Sequence, residues 1–177
     1  DWGLLPKADN ESNLKDSMKN ANPYMLVSMF NKNNYNTYAY HNYYGYFYDR
    51  KTYFQNLGFK TYKFCEDNIV KNCKMGDFFH ASAEEMMKNT INEYINDDNF
   101  FVHYVTLSAH GVYKYDKNEV ARKYYDLVKD YDYPEELKLY LSANIDLDRG
   151  LEYLVERLEK EGKLDDTVFI ITPDHYP

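Results

Sequence analysis

No apolar run in this 177-residue chain approaches the roughly 18 residues that a membrane-spanning helix requires. The N-terminus also lacks the apolar segment of a signal peptide. The sequence is therefore expected to be soluble, including as a piece of a longer membrane-anchored or exported protein. Basic clusters are missing as well. Lys and Arg are scattered and the net charge is −8, which argues against a nucleic-acid footprint and against a polybasic membrane patch. Cysteine is scarce: Cys65 and Cys73 flank an Asn- and Lys-rich stretch. They could pair in an oxidising compartment, but two isolated thiols are the plainer reading. There is no internal repeat, no low-complexity linker, no P-loop, no G-x-G-x-x-G, no H-E-x-x-H and no G-x-S-x-G.

What is present is a globular composition, 44% hydrophobic, in a chain long enough for one domain with its own core. Tyrosine is the outlier. There are 21, and eight of them fall between Tyr35 and Tyr53. Such a density can line a pocket for sugar-like or phosphate-like ligands, because each ring packs and each hydroxyl bonds. A compositional bias toward Tyr, Asn, Lys and Ile explains it equally well.

The local patterns alternate helices with short strands. Residues 23–31 read as a helix with Pro23 at its start, and 36–40 as a strand that delivers His41. Residues 50–57 suggest a helix closed by Gly58, with a second strand at 59–64. Ser82 and Glu85 form a capping box, so a helix is expected from there to Ile95, with Met86, Met87, Ile91, Tyr94 and Ile95 inward. The run 100–107 reads as the clearest central strand. Helical signals resume at Asn118, and Pro134 opens a long helix to Glu161. Its apolar stripe should be Leu137, Leu141, Ile145, Leu151, Val155 and Leu158. A last buried strand is expected at 167–171. Helices leading directly into strands predict an α/β fold, a mostly parallel sheet flanked by helices, with ligands at the carboxyl ends of the strands.

Three of the predicted strand exits carry histidine: His41, His110 and His175. Asp174-His175 offers one carboxylate and one imidazole. Pro173 biases Thr172 toward extended backbone, so the strand should end and release the pair toward one point. Such a donor pair suits Mn²⁺, Zn²⁺ or Mg²⁺, although two ligands are not yet a site, and a surface Asp beside a loop His reads as well. His110 precedes Gly111 and could donate to an anionic oxygen, or could merely cap a carbonyl. His41 and Arg50 bracket "HNYYGYFYDR". Arg50 could grip phosphate or sulfate bidentately, or pair with Asp49 at a helix start. His103, in mid-strand, and His80 read as structural.

Taken together, "NTYAYHNYYGYFYDRKTYFQNLGFK", "FFVHYVTLSAHGVY" and "LEKEGKLDDTVFIITPDHYP" resemble the sulfatase-type catalytic domain of lipoteichoic acid synthase-like enzymes, in the alkaline phosphatase superfamily. The resemblance runs from about residue 20 to the end of the chain. It implies a partial alkaline phosphatase/sulfatase-like fold, with Asp174 and His175 as ligands of a divalent metal, Mn²⁺ ahead of Mg²⁺ or Zn²⁺. It implies that His41, Arg50 and His110 bind substrate, and that Tyr48 takes an aromatic position that is often Trp. The family's nucleophilic threonine and glutamate ligand lie upstream of the matching segment, and nothing in residues 1–19, Ser12 and Ser17 included, fits them.

The chain is thus expected to be a single partial domain over 1–177, inert alone, with no catalytic nucleophile of its own. Its parent would transfer glycerophosphate through a phospho-threonine, at the extracellular face of a bacterial membrane, with a phospholipid head group or a glycopolymer as substrate. A sulfatase or phosphoethanolamine-type transferase is the enzymatic alternative, and a non-catalytic binder of anionic glycopolymers the other. An exposed sheet edge in so truncated a domain could be covered by homodimerisation.

Overall fold

The computed structural model describes residues 24–71 and 81–173. Eight principal elements follow in chain order: α1 (Leu26–Lys32), β1 (Asn36–His41), α2 (Arg50–Leu57), β2 (Thr61–Phe64), α3 (Ala83–Thr90), β3 (Phe100–Val105), α4 (Glu119–Tyr124) and α5 (Glu135–Lys160). The three strands make a parallel sheet in the order β2-β1-β3. Each crossover is helical, as parallel pairing requires. β1 is the central strand among the described residues. β3, expected to be central, pairs among the described residues with β1 alone and is half-buried.

Alternation along β1 sorts its side chains onto two faces. Tyr38 and Tyr40 turn toward α3 and α5, where Met86, Met87, Ile91, Leu154 and Leu158 complete one core. Ala39 turns the other way, toward Val27, Phe54, Leu57, Phe59 and Phe64 of the α1–α2 side. Most local stop and start signals operate as expected. Ser82 Oγ accepts from Glu85 N at 3.1 Å, Asn118 Oδ1 from Ala121 N at 2.8 Å, and Gly58 closes α2 with φ +90°. Pro134 is the N-cap of α5. Pro23 and His80 lie outside the described residues.

Three expectations are corrected. First, residues 167–171 form no strand. Val168, Ile170 and Ile171 are 83%, 80% and 68% exposed. Apolar, β-branched composition favours a strand, but a strand also needs a neighbour to pair with, and no described residue supplies one.

Second, α5 packs on a different stripe. Leu139, Ala143, Asp146, Gly150, Leu154 and Leu158 are buried, whereas Leu137 and Val155 are exposed and Leu141, Ile145 and Leu151 half-buried. The reason is the contact with α3. Asp146 caps it, and Gly150 lets it come close: a Cβ on Gly150 would lie 3.1 Å from Glu84 Cα and 2.6 Å from Met87 Sδ. A hydrophobicity pattern cannot recognise a packing face built on an aspartate and a glycine.

Third, Cys65 is disulfide-bonded rather than an isolated thiol. The other cysteine of the chain, Cys73, lies outside the described residues.

Candidate active site

The carboxyl end of the sheet is built from the exits of β1 and β3. His41 is the last residue of β1 and pairs in register with Val105, the last of β3. Its Nδ1 donates to the Val105 carbonyl at 2.9 Å, so that nitrogen carries the proton. Nε2 is then the lone-pair nitrogen. It is buried, and no hydrogen-bond partner for it exists among the described residues. Burial is the main reason that the His41 pKa drops to about 4; the carbonyl bond opposes the drop, and the charges of Arg50 and His103 add to it.

Arg50 opens α2 and lies close enough for its charge to depress both His41 and His103. The same charge opposes the upward shift that burial imposes on the Tyr53 phenol. The Arg50 charge thus acts on His41, His103 and Tyr53 alike. His103 packs in the core as a mid-strand residue. Its ring stacks on Phe59 at 6.0 Å and meets Phe54 edge-on at 6.0 Å. Burial, then Arg50, holds its pKa at about 4.

Both imidazoles are neutral in the folded chain at pH 7, while their ordinary value is 6.5. Protonation below that value favours the unfolded chain, so this stability is full above pH 6.5 and is lost as pH falls toward 4. Unfolding free energies from urea titrations, and the midpoints with them, should decline across that window, the free energy by up to about 3 kcal/mol per imidazole. A flat midpoint from pH 6.5 to 4 would show that both rings ionise freely in the fold.

Tyr48 sits two residues before Arg50, on a loop with two successive left-handed residues, Tyr48 (φ 54°) and Asp49 (φ 52°). Non-glycine residues pay for that conformation, and such strain collects at functional sites. His110 follows β3 by five residues and is exposed, with Nδ1 donating to the Gly111 carbonyl at 2.6 Å. The structure thus sets Arg50 within electrostatic reach of His41, Tyr48 on the adjoining loop, and His110 in the loop beyond β3. Asp174 and His175 lie outside the described residues. Among the described residues there is no cluster of three His, Cys, Asp or Glu able to hold a metal, so those residues alone do not compose a metal site.

Two residues escaped the reading of the sequence. Asn42 is buried and clamps the exits together: its Oδ1 accepts from Leu107 N at 3.0 Å, and its Nδ2 donates to the Ala81 carbonyl at 2.9 Å. Ser108 is fully buried, and its Oγ has no hydrogen-bond partner among the described residues. The signal for both was position, immediately after a strand-end histidine and within S-A-H, but neither residue type announces a role. The tyrosines divide as the strand alternation dictates. Tyr38 and Tyr40 bond Asp97 and Glu93 in the opposite core, and Tyr43 of the loop meets the His41 ring edge-on.

The fold has relatives among known proteins. A structure of the lipoteichoic acid synthase LtaP from Listeria monocytogenes superposes with a TM-score of 0.66 at 21% identity, over 87% of this chain and 37% of that one. The "Putative cyclic beta-1,2-glucan modification protein" of Rhizobium meliloti (strain 1021) is 28% identical over 160 residues, 86% of this chain and 23% of that protein. The chain thus spans about a quarter to a third of the length of these relatives. The sulfatase family model matches residues 4–177. With a parallel α/β sheet that gathers an imidazole and a guanidinium at its carboxyl end, and a family match over nearly its whole length, the chain belongs to the sulfatase family of the alkaline phosphatase superfamily.

Proposed function

We propose that this chain supplies the anion-gripping half of a phosphoryl-transfer site, in a parent enzyme that moves a glycerophosphate-like group from a phospholipid head group or glycopolymer at the outer face of a bacterial membrane. The observation that carries the proposal is His41: an imidazole fixed through Nδ1, with its Nε2 buried and without a hydrogen-bond partner among the described residues, within electrostatic reach of Arg50. Arg50 would pair with two non-bridging ester oxygens. His41 would take up a proton at Nε2 as the anion arrives and donate it to a third oxygen, stabilising charge that grows in the transition state. His110, from the loop after β3, would reach the leaving or attacking oxygen, and Tyr48 would wall the site. Asp174 and His175 would hold a divalent cation, Mn²⁺ by preference, whose chemistry when bound is to neutralise ester oxygens and lower the nucleophile's pKa. The attacking threonine would come from outside this chain, leaving the chain alone inactive.

The proposal predicts proton-linked anion binding. The His41 pKa is about 4 in the free chain, and a bound anion favours the imidazolium and raises it. Affinity for inorganic phosphate or sulfate should therefore strengthen as pH falls from 7 toward 5, with the imidazole signals of His41 moving in an NMR titration. Arg50→Lys should weaken the binding about tenfold. If the His41 signals ignore both anions at pH 5, the grip does not exist.

A further inference from the structure

The loop between His41 and Arg50 displays more aromatic surface than an anion grip needs. Tyr46 and Tyr48 are 71% and 55% exposed, whereas rings of this size ordinarily bury most of their area. They are also held stiffly. Tyr44 stacks behind Tyr46 with centroids 5.2 Å apart and planes 22° apart. Phe47 meets the Tyr48 ring edge-on at 4.5 Å.

The backbone beneath is locked. Gly45 N donates to Glu66 Oε1 at 3.0 Å, and Lys51 N donates to the Gly45 carbonyl at 3.0 Å. Gly45 lies so near the Phe64 ring that a Cβ would be 2.8 Å from it. The two left-handed residues, Tyr48 and Asp49, complete the turn. A chain of ring contacts ties this display to the buried imidazole: His41 to Tyr43 at 6.1 Å, and Tyr43 to Phe47 at 4.8 Å. Strained backbone, ring-on-ring support and exposure together describe a preorganised binding surface, which loses little entropy when a ligand lands on it.

We propose that Tyr46 and Tyr48 form a stacking platform for a pyranose ring carried by the substrate, next to the His41–Arg50 grip. The inference rests on that grip for the anionic end of the ligand. The chemistry favours a sugar. A phenol ring offers a flat apolar face to the axial C–H groups of a pyranose and a hydroxyl to its equatorial oxygens. Glu66, bonded to Gly45 N, is the charged side chain tied to the same loop, and charged groups suit hydroxyls. A lipid chain would require a continuous apolar groove instead.

The test uses the whole chain, NMR titration and three probes: glucose 1-phosphate, glycerol 3-phosphate and methyl α-D-glucopyranoside. Glucose 1-phosphate should bind five- to tenfold more tightly than glycerol 3-phosphate, and the neutral glucoside should shift the ring signals of Tyr46 and Tyr48. Tyr46→Ala, an exposed change whose fold is verified by circular dichroism, should bring glucose 1-phosphate down to the glycerol 3-phosphate value. Equal affinities in the unsubstituted chain, or a preference that survives Tyr46→Ala, overturn the platform. If instead the glucoside still shifts both rings and Tyr46→Ala abolishes the shift, while Arg50→Lys leaves both phosphates unaffected, the anion grip fails and the platform stands. Silence from all three probes overturns both.

Discussion

Asp146→Ala lowers the thermal midpoint of the chain by about 6–12 °C, the largest stability loss expected of any single polar substitution. Asp146 is fully buried on the packing face of α5. Its Oδ1 accepts from Ser82 Oγ at 2.7 Å, and its Oδ2 accepts from Ala83 N at 2.6 Å and Glu84 N at 3.2 Å. One carboxylate thus satisfies the first backbone donors of α3 from a helix 60 residues away, while Lys123 Nζ stands 3.8 Å off to offset its charge. Burial pushes the Asp146 carboxyl up, and these donors pull it back. Truncation orphans three donors inside the protein, which costs about 3 kcal/mol.

Asp146→Asn should lose roughly half as much, because an amide keeps one acceptor oxygen of the two. Scanning calorimetry of the three proteins decides the matter. An Asp146→Ala midpoint within 2 °C of the unsubstituted chain would show that α3 is capped by other means. The neighbouring Glu84 adds an acid limit to the same joint. Burial alone would raise its pKa, but bonds from Lys123, Lys88 and Tyr124 outweigh it and hold the value at about 2. That contribution is full above pH 4.5 and fades as pH falls toward 2.

The second large effect is functional and belongs to a parent enzyme that carries the complete domain. There, Arg50→Lys is expected to reduce kcat/KM for a phosphodiester substrate by 10²- to 10³-fold, about 3–4 kcal/mol of transition-state stabilisation. Lysine keeps the charge but is a single point, and cannot present two parallel N–H groups to one phosphoryl. It also shifts a charge that, after burial, helps to hold the His41 pKa down, so the limb of the pH–rate profile on which His41 takes up its proton should move upward. That movement separates a role in the grip from a merely structural one, which would lower activity without displacing the profile. A loss below fivefold with an unmoved pH–rate profile would take Arg50 out of the site.

How much was legible in the sequence depends on how far each signal reaches. The caps at Ser82 and Asn118, the stop at Gly58 and the start at Pro134 are chemistry between neighbours, and each appears where expected. The three strands and their parallel pairing followed from apolar runs separated by helices. What failed was whatever depends on a distant partner. The α5 stripe rotated because its best contacts are an aspartate bonded to α3 and a glycine pressed on Glu84. The run 167–171 has the composition of a strand and no described partner to pair with. At the site, His41 and Arg50 were visible as the brackets of one loop, but the clamp from Asn42 to Leu107 spans 65 residues and left no local mark.

The strand order has a consequence for how the chain folds. β1 meets β2 through contacts such as Lys60 N to Thr37 Oγ1, 23 residues apart in sequence, but it meets β3 through contacts such as His41 to Val105, 64 residues apart. Loop-closure entropy rises with that separation, and contacts distant in sequence slow folding. The β1–α2–β2 unit should therefore assemble first, with the aromatic loop and Arg50 already in place. The docking of β3 would be the late event, and the one that seals His41 from water.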